Sequence, residues 1–419
     1  MNRTERSFEI ACDIYREYGV DPVQVIETLK KIPVSLHAWQ GDDVVGFENF
    51  ETALTGGCQV TGNYPGRARN ADELRSDLDL VLKLVPGTNR VCLQGHQVDK
   101  MIPGVDRDGF SIENFSSWLD WAKERKIGMD IAPCFYSHPK LDHGLSLSHP
   151  DPAIRKFWID HGQAIRRIGA EFGKVLQTPS VCNFWLPDGF KNIPADRYAP
   201  RMRLAESLDT IFAEKIDEKY ELDAVESKLF GIGVESCTVG SHEFYLMYAA
   251  RNNKLVCLDS GHFHPTESIA DKLSAIVSQQ GRILLHVSRG VRWDSDHVIL
   301  LNDELLSIAR EAAVYGYMDK IFFCLDYFDA SINRIAAMAI GARNMQKALL
   351  IALLEPTNML RQEENVWDTA ACMARQEEFK TLPWGSVWNY YCEKEGVGTD
   401  RTILDSIKIY EKSVLSKRQ

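Results

Sequence analysis

The chain has 419 residues, 45% of them hydrophobic and 26% charged; this is the composition of a folded globular protein and excludes disordered, collagen-like and small disulfide-stapled chains. Its 48 Lys and Arg against 59 Asp and Glu leave a formal charge of −11, with no basic run, so general binding to a phosphate backbone is excluded as well. Ten scattered cysteines without a CxxC, several inside apolar runs (RVCLQ, LVCLDS, FFCLDYF), read as reduced core thiols.

In chain order, two helices come first, over 4–19 and 22–31, the second with Asp21 as N-cap and Pro22 at its first position. The charged, helix-like start has no apolar leader. The longest apolar stretch, 335–354, is interrupted by Arg343, Gln346 and Lys347. A soluble cytoplasmic protein without a membrane span is expected. Eight short apolar segments then read as strands: 34–39, 90–95, 127–134, 181–187, 224–230, 255–262, 283–289 and 321–328. Each is followed by a helix-period segment: 71–85, 111–125, 152–173, 201–216, 241–252, 268–280, 302–316 and 330–354. Ser111 with Asn114 is a candidate N-cap pair, and Asp329 or Ser331 is the expected cap of the last of these helices.

Continuous apolar strands between amphipathic helices imply a parallel sheet covered by helices, and eight units fit a closed (β/α)8 TIM barrel better than an open sheet. No GxGxxG or GxxxxGK[ST] follows any strand, which weakens a pair of dinucleotide-binding domains. The expected organisation is an N-terminal helical segment (1–33), the barrel (34–355) and a C-terminal helical extension (356–419), packed on the barrel or on a neighbouring subunit.

A barrel of this kind carries its chemistry at the C-terminal ends of its strands. Strands five to eight each hold a polar residue there, inside an apolar run: Glu226 in AVESKLF, Asp259 in LVCLDSGH, His286 in ILLHVSR and Asp326 in FFCLDYF. Three buried carboxylates converging without a partner would repel one another, and a divalent cation is what makes the convergence tolerable. The oxygen-rich set favours Mn²⁺, Mg²⁺ or Co²⁺ over a thiolate zinc site. His262 and His264 in GHFHP, and Asp294, Asp296 and His297 in RWDSDH, follow strands six and seven and suit a second, more open ion, with Glu226 bridging the two. A lone Asp-x-Asp is as readily a solvated turn, and His264, before Pro265, a plain turn residue.

Lys228 shares a strand face with Glu226 and serves either as counter-ion to the acids or as a holder of a substrate oxygen. Trp39, Phe135 and Trp185 end strands one, three and four; such rings are core residues or flat platforms for a sugar. The glycine-rich loop 41–66 reads as a lid or a subunit contact.

The blocks HAWQGDDVVGFE (37–48), TGNYPG (61–66), DAVESKLFGIG (223–233), LDSGHFHPTE (258–267), HVSRGVRWDSDHV (286–298) and LDYFDASINRIAA (325–337) resemble the L-rhamnose isomerase family, and the resemblance runs over essentially the full length. It implies a two-metal barrel, a homotetramer and a sugar substrate, with manganese as the expected ion and Mg²⁺, Co²⁺ or Zn²⁺ as alternatives at one site. Glu226, Asp259, His286 and Asp326 match the family's structural-metal ligands. His262, Asp294 and Asp296, with Glu226 shared, match the catalytic-metal ligands, and Lys228 matches a substrate-contacting lysine. Trp39, Gln94, His96, Phe135, Trp185 and His264 complete the expected substrate contacts. One departure is visible. Many relatives end strand two in Leu-His-Ala, whereas this chain reads Leu93-Gln94-Gly95-His96. Gln94 hydrogen-bonds but does not shuttle a proton near neutral pH, and His96 has the matching strand parity.

The implied reaction interconverts L-rhamnose and L-rhamnulose. A hydride moves from C2 to C1, and a water made acidic by the ion and oriented by Asp294 or Asp296 carries the proton between O2 and O1. Asp294, Asp296, Lys228 and His262 are the expected catalytic set. The alternatives are an enediol route, an isomerase of a related aldose, an epimerase or hydrolase on the same barrel, and a catalytically weakened sugar-binding relative.

Overall fold

The computed structural model describes residues 1–48, 58, 60–229, 231–291, 297–314 and 316–418. Two capped helices open the chain. In Arg3–Glu17, the Asn2 side chain and Glu5 form a reciprocal capping box, and in Pro22–Leu29, Asp21 caps the helix with Pro22 in the first turn. Eight parallel strands follow: Val34–His37, Asn89–Gln94, Gly128–Ala132, Ser180–Trp185, Glu221–Glu226, Leu255–Asp259, Ile283–Val287 and Ile321–Leu325. Their ladder runs in the order three, two, one, eight, seven, six, five, four. This is the expected (β/α)8 barrel, with a helix crossing back along the outside between successive strands.

The seam between strands three and four is closed differently. No ladder joins them; instead Asp130 on strand three accepts the Val181 amide of strand four at 2.8 Å. The same carboxylate takes the Ser35 hydroxyl at 2.7 Å and both Nε and Nη2 of Arg90, at 3.0 and 2.7 Å. A fully engaged, buried ion pair therefore stands where backbone hydrogen bonds would.

Strand alternation splits the buried residues in two. Inward residues form a small core that includes Val181, Leu222, Ala224, Leu255, Leu284 and the thiols Cys92, Cys257 and Cys324. Outward residues pack with the helices in a much larger one. All ten cysteines are buried and none is in a disulfide, as the sequence leads one to expect.

Two local expectations meet different outcomes. Ser111 and Asn114 do form a reciprocal box, which opens a short 3-10 turn ahead of the helix Ser116–Arg125. The helix Arg334–Leu353, however, is capped by Asn333, whose side chain accepts the Ala336 amide, and not by Asp329 or Ser331. Asp329 folds back onto the Ser331 amide and hydroxyl at 2.8 and 2.6 Å. That turn delays the helix by one more step, where Arg334 meets Asp43 in a two-pronged ion pair.

Beyond Pro356 come the helices Thr357–Asn365, Thr369–Phe379, Trp384–Lys394 and Asp400–Ser413. They lie on the chain's own earlier helices. Tyr390 stacks on Phe8 with centroids 3.7 Å apart, Asp400 takes Arg343 and Lys347, and Arg418 clamps Asp77. Gly66, at φ +90°, lies so close to Leu415 that a side chain there would collide with it. Among the described residues no helix is long and apolar enough to cross a membrane.

Candidate metal centre and sugar pocket

Strands five to eight bring their polar ends together. Glu226 and Asp259 are the last residues of their strands, His286 is the penultimate residue of strand seven, and Asp326 follows strand eight directly. Ligand atoms of all four lie within 4.8 Å of one another. His286 Nδ1 stands 2.9 Å from Asp326 Oδ2 and 3.1 Å from Glu226 Oε2.

The surroundings orient each group. Trp39 Nε1 donates to Asp326 Oδ1 at 2.9 Å, Asn183 Nδ2 donates to Glu226 Oε2, and the Gly261 amide and Ser288 hydroxyl hold Asp259 Oδ1. Glu226 Oε1 and Asn183 Oδ1 accept no hydrogen bond although both are buried. An unsatisfied carboxylate oxygen in a sealed interior is costly unless something positive faces it.

Electrostatics say the same. Burial, opposed mainly by His262, pushes the Asp259 carboxyl up to about 7. Burial alone would discharge His286, yet the facing Cys257, Glu226 and Cys324 and the Asp326 hydrogen bond hold its imidazole well above its ordinary value. Burial pushes Asp326 up, but the His286 hydrogen bond and charge, with His37 and the Trp39 N–H, together hold it below its ordinary value. Three carboxylates, one imidazole and two orphaned oxygens are a donor set that fits a hard divalent cation.

His262 adjoins this cluster, with Nδ1 3.5 Å from Glu226 Oε1. Its Nδ1 also lies 2.8 Å from the Ser227 carbonyl. A carbonyl only accepts, so Nδ1 carries the proton and Nε2 the lone pair of the neutral ring, the arrangement by which a metal-binding histidine is aimed. Asp294 and Asp296 lie outside the described residues, as does the 49–57 tip of the loop expected to act as a lid.

The other expected contacts are spread around the barrel mouth and behind it. Lys228 is buried, with Nζ 4.8 Å above the Trp185 ring, so an ammonium and a flat face stand together. Lys228, His262, His242 and His264 line a cavity of about 520 Å³. His264 is exposed and bonds Thr266 at 2.8 Å, the turn arrangement weighed above. Gln94 accepts the Tyr136 hydroxyl, and Tyr136 meets Trp185 edge-on at 5.8 Å.

His96 stands behind Tyr136, fully enclosed, with Nε2 3.1 Å from the Val44 carbonyl. Burial, assisted by Arg107, drives it down to about 3. It is therefore a neutral ring, one aromatic layer removed from Gln94. Phe135 is packed against Trp158, His161 and Phe184, between barrel and helix and away from the mouth. Strand three ends at Ala132, so strand parity carried on to residue 135 does not hold.

Asn183 and Tyr136 were not singled out from the sequence. Asn183 had the same signal as the acids, being the one polar side chain inside VCNFWLP. Tyr136, beyond a strand end, had none.

Sequence comparison decides the family. The chain matches L-rhamnose isomerase over residues 2–418. It belongs to the L-rhamnose isomerase family. It is 53% identical over 414 residues to the L-rhamnose isomerases of Salmonella paratyphi B and Salmonella typhimurium, with 99% of this chain and 99% of each relative covered. Among solved structures it is similar to D-allulose 3-epimerase from Methylomonas sp., at 11% identity and TM-score 0.42 over 80% of this chain and 97% of that one. Membership makes the protein an aldose–ketose isomerase, and the cluster at the ends of strands five to eight is a group of side chains that could hold a divalent metal.

Proposed function

We propose that the protein interconverts L-rhamnose and L-rhamnulose, using two divalent ions with Mn²⁺ as the working metal. Glu226, Asp259, His286 and Asp326 hold one ion. His262, Asp294 and Asp296 hold the other, with Glu226 shared. The observation carrying this reading is the convergence of four strand-end ligands within 4.8 Å, in a chain that matches the isomerase family over residues 2–418.

Going from aldose to 2-ketose, C2 loses its hydrogen to C1, and the O2 proton ends on O1. The ions supply Lewis acidity at the sugar's adjacent oxygens. The chain's own residues do the rest. Lys228 donates to a sugar oxygen and stabilises charge that grows on it, acting from a buried position where such a contact is strong. Trp185 gives the sugar a flat apolar face, and Gln94, fixed by Tyr136, hydrogen-bonds a hydroxyl. Asp294 or Asp296 orients the water that passes the proton between O2 and O1.

The test is metal content followed by a colorimetric ketose assay on L-rhamnose, with and without chelator. Ketose formation that chelator abolishes and Mn²⁺ restores is expected; turnover indifferent to metal overturns the reading. In deuterated water, deuterium appearing at C1 of the product would replace the direct hydrogen transfer with an enediol route. We further propose a cytoplasmic homotetramer, checked by light scattering.

A further inference from the structure

A second cavity, of about 390 Å³, reaches the same barrel from its opposite end. Lys31 and Asp319, both exposed, stand at its outer rim just before strands one and eight, and its inner wall includes Cys92, Cys324, Asn183 and His286. It thus approaches His286 from below, while the sugar pocket lies above.

The sequence explains what lies at its inner end. Strand six reads Cys257-Leu258-Asp259 and strand eight continues as Cys324-Leu325-Asp326; strand two ends Cys92-Leu93-Gln94. Residues two apart share a strand face, so three thiols lie one layer beneath Asp259, Asp326 and Gln94. Cys257 Sγ is within 4.8 Å of ligand atoms of both Glu226 and His286. Cys324 is the ladder neighbour of His286, and both line the lower cavity with Cys92. Glu226 Oε1 and Asn183 Oδ1, both buried, have no hydrogen-bond partner.

We propose that Cys257, His286 and Glu226 form a second, thiophilic cation site, which takes a zinc- or cadmium-type ion through the lower cavity and excludes the hard ion above. Binding is ligand exchange without redox: the Cys257 thiol gives its proton to solvent and its sulfur takes the ion. Sulfur, imidazole and one carboxylate oxygen are the donors that a soft or borderline ion selects, whereas the upper set is hard. His286 belongs to both sets, so an ion held below competes with the ion above for that ring. This exclusion rests on the proposed function; the binding itself does not.

Cadmium is the probe. Titrated into the metal-free full-length protein, Cd²⁺ should develop the ultraviolet thiolate-to-cadmium charge-transfer band, saturating at one equivalent. Cys257→Ser should remove most of that band and weaken binding at least ~10-fold, and Cys257→Ala repeats the measurement should the serine variant melt early. A band equally strong in both variants overturns the site, because another of the ten cysteines would then be its source. In Mn²⁺-loaded protein, added Cd²⁺ should release the free-manganese paramagnetic resonance signal, with at least ~10-fold more Cd²⁺ needed in Cys257→Ser. Equal release from both overturns the exclusion. A protein that takes up no Mn²⁺ counts against the proposed function alone.

Discussion

The two halves of the barrel are built from the same kind of strand and end differently. Strands five to eight finish in Glu226, Asp259, His286 and Asp326. Strands one to four lead to Trp39, Gln94, Tyr136 and Trp185, neutral groups that hydrogen-bond or stack. One half concentrates charge that needs a cation; the other offers faces and amides suited to a neutral polyol. Crossings between them are few and specific. Asn183 reaches from strand four to Glu226, and Trp39 from beyond strand one to Asp326. The division teaches that charged and neutral groups occupy separate arcs of the ring, linked at the site by these side-chain hydrogen bonds.

The hardest blow to the charged arc is Glu226→Gln. It is expected to abolish metal retention and lower turnover by on the order of 10³-fold, read by metal analysis beside the ketose assay. Next, Asp259→Asn and Asp294→Asn should part company: both lose most activity, but only the former lowers the melting temperature as well, because it damages the closed site and leaves charge buried without compensation. Equal melting temperatures with and without chelator would refute that difference. Cutting the bridge between the arcs with Asn183→Ala should weaken metal affinity by ~10- to 100-fold, the usual cost of losing a group that orients a ligand, as measured by equilibrium dialysis. In the neutral arc, Trp185→Ala should raise KM by about 10-fold, roughly 1.4 kcal/mol, with a smaller change in kcat.

The last effect, read on stability and not on activity, is acid sensitivity from His96. Its ring is held down at about 3 by burial, against an unfolded value of about 6.5. Below that value the unfolded chain binds a proton that the native ring refuses. The stability contribution is whole above about pH 6.5 and declines as pH falls toward 3, by up to about 1.4 kcal/mol per pH unit. A His96→Gln variant of the metal-free protein should show a shallower fall in melting temperature between pH 7 and 5.

Much of this was readable in advance because a polar residue inside an apolar strand is an anomaly that burial makes expensive. That logic finds Glu226, Asp259, His286 and Asp326, and applied evenly it would also have found Asn183. It fails where the chain has left the strand. Phe135 and His96 lie beyond the ends of strands three and two, so alternation no longer tells which way they face. It also gives direction without depth: His96 has the expected parity yet ends behind Tyr136. The cap of Arg334–Leu353 was misplaced because Asp329, Ser331 and Asn333 are all competent caps, and the ion pair of Arg334 with Asp43, remote in sequence, chooses among them.

Because strands three and four are tied by the hold of the Asp130 carboxylate on the Val181 amide instead of a ladder, the cylinder has a built-in zip on the flank opposite the acid cluster. Native-state amide exchange should find its earliest protection loss along that slit, with strands six and seven the last to trade hydrogen for deuterium. Breathing of the wall would then vent away from the cluster at the ends of strands five to eight.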